Sequence, residues 1–139
     1  MFQLDERLQQ DCLAVGDLPL CRLLLMNDAR YPWCILVPRR EQVSEVFQLD
    51  VADQRQLWHE ASRLAEILKD VFAGDKMNIA TLGNQVAQLH VHVIVRKKTD
   101  NAWPAPVWGK QPPLPYSAEH QAQVIERLSA ALAGLLQVA

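Results

Sequence analysis

Residues 88 to 96 read QLHVHVIVR, and the groups able to do chemistry fall two apart: Gln88, His90 and His92. On a strand, alternate side chains share a face and stand roughly 6.6 Å from one another. An amide and two imidazoles would then line one side while Leu89, Val91, Val93 and Val95 form an apolar layer on the other. A neutral imidazole is a competent nucleophile toward phosphorus when one nitrogen is free and the other is held protonated by an acceptor. A second ring one strand repeat away can donate to phosphoryl oxygens or to the departing group. Such a pair needs no metal in principle, because amide and imidazole donors can meet the charge of a phosphate. Two imidazoles at i and i+2 also suit a metal ion, and two surface histidines need have no role at all. No acid or cysteine shares that strand face to complete a ligand set, so no metal is expected. His59 and His120 sit in helical segments among polar neighbours and read as solvated.

Two helices and a sheet must position this row. From about Asp50 to Ala73 the apolar positions Leu57, Ala61, Leu64, Ala65, Leu68, Val71 and Phe72 keep to one helical face. Asp50 or Asp53 can cap the start and Gly74 suits the exit. A second helix is expected over 118–137, with Ser117 as N-cap and a stripe of Ile125, Leu128, Leu132 and Leu135. The strands that these stripes cover come in two groups. CLAV and LCRLLLMN flank GDLP, a hairpin signal, and WCILVP follows as a buried strand. KMNIATL then runs through Gly83-Asn84 into the histidine segment. Short links favour antiparallel pairing, so the fold class is α+β: an antiparallel sheet of about five strands with a long central helix and a C-terminal helix. With helices on one face, the histidine row is expected on the other, partly open one. Residues 99–117 hold five of the eight prolines and two of the four tryptophans and read as an extended loop ordered by Trp103 and Trp108.

At 139 residues the chain suits one domain over 1–139, with a core at 11–98. A net charge of −2 gives no broad drive toward nucleic acid or anionic membrane. MFQLDERLQQ is charged and lacks the apolar stretch of a signal peptide, and LLLM is far too short to span a bilayer. Cys12, Cys21 and Cys34 read as buried reduced thiols, which points to the cytoplasm. A zinc site on Cys12 and Cys21 would match no common ligand spacing. Arg39-Arg40 and Arg96-Lys97-Lys98 read as solvated, except Arg96, which shares the histidine face and could meet polyphosphate.

QLHVHVIV resembles the motif of the histidine triad (HIT) family, with Gln88 in the first histidine position. NIATLGNQVAQLHVHVIVR is similar to that family's strand, glycine turn and motif strand, and LLLMNDARYPWCILVPRR to its earlier hairpin. The resemblance covers roughly residues 20 to 98. It implies a homodimer that binds a small purine nucleotide and acts at its α-phosphate by hydrolysis or nucleotidyl transfer, without a cofactor. Nucleoside phosphoramidates and dinucleoside polyphosphates are the implied substrates, and a covalent nucleotidyl-histidine the intermediate. His90 takes the place of the nucleophile and His92 that of the group contacting the phosphate or leaving atom. Asn27 falls where the family holds ribose, and Asn78, Asn84 and Gln85 fall near its phosphate-binding positions. Gln88 cannot become cationic, and Cys34 stands where many relatives carry a further histidine beneath the site. The alternative function is therefore a nucleotide-binding dimer that does little chemistry.

Overall fold

The structure is a computed structural model that describes residues 1–137; Val138 and Ala139, the end of the expected domain, lie outside the described residues. Five strands form one sheet: β1 (Cys12–Asp17), β2 (Cys21–Met26), β3 (Trp33–Pro38), β4 (Lys76–Thr81) and β5 (Val91–Arg96). Their order is β1-β2-β3-β5-β4 and every neighbouring pair is antiparallel. The histidine strand β5 thus lies between β3 and β4, although α2 and β4 precede it in sequence. Three helices complete the described fold: α1 (Glu6–Asp11), α2 (Val51–Val71) and α3 (Ala118–Ala131).

Strand alternation divides the core in two. On one face Leu23, Leu25, Cys34, Leu36, Val91, Val93 and Val95 meet the α2 stripe of Leu57, Ala61, Leu64 and Leu68, with Val124 and Leu128 of α3. Burying each such leucine is worth roughly 1.5–3 kcal/mol, so these stripes hold both helices to the sheet. Asp50 caps α2 by accepting from the Asp53 amide at 2.8 Å, and Ser117 caps α3 at the His120 amide. The α2 stripe also contains a charge that apolar periodicity passes over. Buried Glu60 accepts from the Leu20 and Cys21 amides at 2.8 and 2.9 Å and pins the β1–β2 turn.

Several boundaries differ from the sequence reading. The exit of α2 places Ala73, at φ +51°, in the left-handed region. Gly74 is required for space instead, because a Cβ there would lie 2.7 Å from Val95 Cγ1. The last helix stops at Ala131, short of Gln137; residues 132–136 continue as turns, and the Gln137 amide donates to the Asp17 carbonyl. The N-terminal residues form α1, a short helix absent from the sequence reading.

The other face of the sheet is not open. Leu24, Trp33, Ile35, Val37 and Ile94 are covered there by Phe2, Leu4 and Leu8 from the N-terminal segment and by Ala102, Val107 and Trp108 from the proline-rich loop. Arg96 anchors that loop. It is 2% exposed, donates twice to Asp100 at 2.8 and 3.1 Å, and also donates to Asn78 Oδ1 and the Ala105 carbonyl. Its guanidinium lies 5.7 Å from the Trp103 ring and 5.9 Å from that of Tyr31. Burial alone would raise the Asp100 carboxyl, but the Arg96 guanidinium and the Lys97 and Trp103 amides outweigh it and hold it at about 2. Arg96 therefore has no free fork for polyphosphate. Arg39 and Arg40 are likewise committed, to Asp17 with the β1–β2 turn carbonyls and to Asp53.

Candidate functional site

Strand β5 begins at Val91, later than its residue pattern suggests, because β4 ends at Thr81 and leaves residues 88–90 without a ladder partner. Leu89 instead donates its amide to the Val43 carbonyl at 2.9 Å. The alternation of side chains nevertheless persists through His90, whose ring centroid lies 4.8 Å from that of His92 in an edge-to-face contact. Both rings are buried, 5% and 6% exposed, yet both line a cleft of about 390 Å³ between α1, the turn at 82–86 and the proline-rich loop. The cleft runs over Met26, Trp33, Ile35, Val86, Val107 and Trp108, so most of its wall is apolar or aromatic. A second, more polar cleft of about 350 Å³ adjoins His90 from the side of Ser44, Glu45 and Thr81.

The two rings are held in opposite protonation patterns. His90 Nδ1 lies 2.7 Å from the Gln88 carbonyl oxygen, which can only accept, so the proton is on Nδ1 and the lone pair on Nε2. Trp33 Nε1–H, which can only donate, lies 3.1 Å from His92 Nδ1, so that nitrogen carries the lone pair and Nε2 the proton. His92 Nε2 is buried and makes no hydrogen bond of full geometry among the described residues, the Leu82 backbone giving it only a weak attraction. An unpaired buried donor is costly unless something arrives to accept from it. Burial, and secondarily the neighbouring His90 ring, push the His92 imidazole down to about 4, a backbone contribution from Leu82 opposing them in part. His92 is therefore neutral at neutral pH: it offers a hydrogen bond but no positive charge.

Trp33 escaped the sequence reading. Its signal is the alternation of β3: the register pairs Trp33 with Ile94 and Ile35 with His92, putting both on the imidazole face. That same alternation corrects the reading of Cys34. It pairs with Val93 and lies in the helix-side core, on the opposite face of the sheet from the histidines, so it takes nothing from a polar network around them. Burial pushes its thiol up to about 12. Cys12 and Cys21 also fall on opposite faces, which separates them as ligands. Trp108 packs on its own chain, its ring 5.0 Å from His92 and 5.9 Å from Trp33.

The remaining polar residues divide. Asn84 and Gln85 line the larger cleft, carried on a turn so tight that a Cβ at Gly83 would lie 2.9 Å from the Val86 carbonyl. Asn27 does not line it; its Oδ1 accepts from the Tyr116 amide at 2.9 Å and ties down the loop, while the neighbouring Asp28 lines the cleft. Asn78 is paired with Ile94, a repeat beyond His92, and is taken up by Arg96. The Gln88 side chain faces the N-terminal segment, accepting from the Asp5 amide at 2.8 Å and donating to the Gln3 carbonyl at 2.9 Å. Arg7, Leu8 and Asp11 of α1 complete the wall and had no counterpart in the sequence reading.

Residues 7–99 match the family described as HIT domain. The chain is similar to a histidine triad protein from Marinobacter aquaeolei VT8, at 52% identity over 97% of this chain and 98% of that one, with a TM-score of 0.95. It resembles a histidine triad protein from Bradyrhizobium japonicum at 46% identity over 94% and 97% of the two chains, with a TM-score of 0.91. A histidine triad (HIT) protein from Sinorhizobium meliloti 1021 is 45% identical over 95% and 98%, with a TM-score of 0.92. None of the curated proteins matches.

Proposed function

Since the chain belongs to the HIT family, a family of nucleotide hydrolases and transferases, we propose that it binds a purine nucleotide in the larger cleft and catalyses displacement at the α-phosphorus. The observation that carries this reading is the opposed tautomers of His90 and His92, imposed by the Gln88 carbonyl and the Trp33 indole. The lone pair of His90 Nε2 forms a bond to phosphorus as the bond to the leaving group breaks. The leaving group departs with the bonding electrons and takes a proton from solvent. Positive charge then developing on the His90 ring is met by the Gln88 carbonyl at Nδ1–H. His92 Nε2–H donates a hydrogen bond to a phosphoryl oxygen; being neutral, it steadies the transition state without handing over its proton. Water then attacks the phosphorus and releases a proton to solvent, the N–P bond breaks, and the electron pair returns to His90 Nε2.

The apolar and aromatic wall suits a base, and Asn84 and Gln85, which line the same cleft, are the proposed donors to phosphate. Nucleoside phosphoramidates and dinucleoside polyphosphates are the proposed substrates. A homodimer is proposed with them: β4 is an edge strand carrying half-exposed Ile79. No helix among the described residues is long and apolar enough to cross a membrane, and the three cysteines are free and buried. A reducing, cytoplasmic setting is proposed on the cysteines alone.

The test compares wild type with His90→Ala on an adenosine phosphoramidate and a diadenosine polyphosphate. The wild type should turn over at least one of them and yield an acid-labile nucleotide adduct, and the variant should do neither. Equal, slow turnover by both proteins refutes the enzymatic reading. Tight AMP binding without an adduct would instead favour a binding module, a reading supported by Gln88, whose amide is spent on the N-terminal segment.

A further inference from the structure

The amide of Gln88 makes two bonds to one stretch of backbone, and that stretch leads into a wall of the cleft. Its oxygen takes the Asp5 N–H and its nitrogen gives to the Gln3 carbonyl. A carbonyl and an N–H two residues apart point the same way from an extended chain, so one side-chain amide can serve both like a short piece of neighbouring strand. Asp5 is the N-cap of α1, accepting from the Arg7 amide at 2.8 Å, and the Gln9 amide donates to its carbonyl at 3.0 Å. Helix α1 then presents Arg7, Leu8 and Asp11 to the cleft, Arg7 lying 3.6 Å from Asp11, and Arg7 is the one lysine or arginine among the described residues that line it. Phe2 and Leu4 pack beneath, against the second core cluster. The backbone carbonyl of the same Gln88 meanwhile sets the tautomer of His90.

We infer that Gln88 is a positioning residue: its side chain clasps residues 3–5 and so fixes helix α1, with Arg7, against the nucleotide, while its main chain orients the nucleophile. This rests on the nucleotide reading of the cleft. It assigns the amide a use that an imidazole cannot fill, because the two ring nitrogens of histidine diverge and cannot face one strand edge side by side as donor and acceptor. Gln88→His therefore opens the clasp without giving the site a third catalytic ring.

Hydrogen exchange on the unliganded full chain tests the clasp, and calorimetry with AMP tests its consequence. In Gln88→Ala and Gln88→His the amides of residues 5–9 should exchange roughly tenfold faster, with those of β5 unchanged. AMP should bind these variants roughly three- to tenfold more weakly. For turnover, KM should rise with kcat held, since the carbonyl behind His90 remains. Removing residues 1–5 should weaken AMP binding to a similar extent, and Gln88→Ala added to that truncation should cost nothing more, as expected of two changes acting through one contact. Unchanged exchange at residues 5–9, full additivity with the truncation, or a fall in kcat at constant KM would each overturn the proposal. Should the wild type fail to bind AMP, the nucleotide reading falls, and the exchange measurement still decides the clasp.

Discussion

Acidification should expose the cost of charging His92. Its imidazole is held at about 4 in the folded chain against 6.5 for the free group. Between those values the unfolded chain binds the extra proton, so stability falls as pH drops through 6.5, and the loss is complete below about 4. The contribution of the neutral ring is fully present above 6.5. Linkage between the two values gives a loss of about 2 kcal/mol from this one residue between pH 7 and pH 5. The physical source is the burial of a ring whose Nδ1 is already committed to Trp33. Urea unfolding at the two pH values, on wild type and on His92→Asn, isolates the contribution. Asparagine can still accept from the indole but does not titrate, so the pH-dependent difference should shrink by about 2 kcal/mol. Nitrogen-15 spectra of the wild type should show His92 as the neutral Nε2–H form at pH 7 and still unprotonated at pH 5. An unaltered pH difference in the variant, or a protonation midpoint near 6, would refute the tautomer argument and with it the donor role of His92.

Trp33→Phe removes the indole donor together with part of a buried ring and leaves His92 Nδ1 a buried acceptor without a partner. Stability should fall by roughly 1–3 kcal/mol, and nitrogen-15 spectra should report a mixture of His92 tautomers. Arg96→Met breaks the buried pair with Asp100 and frees Asn78 and the Ala105 carbonyl. It should cost about 3–5 kcal/mol in urea unfolding. Trp108, read by fluorine-19 resonance in protein labelled with fluorotryptophan, should report loosening of the loop over the cleft.

How legible the molecule is from its residues depends on the range of the forces involved. The alternation of QLHVHVIVR follows from backbone geometry and places His90 and His92 on one side whatever the neighbours are. The α2 stripe and its Asp50 cap are equally local. Cys34 shows where local reading fails: its phase relative to the histidines depends on the register of β3 against β5, a contact across some sixty residues of chain. Trp33 is the other side of that error, one position away and on the imidazole face. Arg96 carried the right face but the wrong role, because Asp100, Asn78 and Ala105 reach it only once the loop has folded back.

By itself, the sequence determined the strands, the two longer helices, the apolar layer and the side-by-side placement of two imidazoles, because periodicity and capping are properties of a few neighbouring residues. Only the tertiary structure decided which nitrogen of each ring carries the proton, that the face is roofed by α1 and the proline-rich loop, and that the Gln88 amide turns toward residues 3–5. Each of those is set by a hydrogen bond or burial contact between residues distant in the chain, and no local pattern encodes the partner.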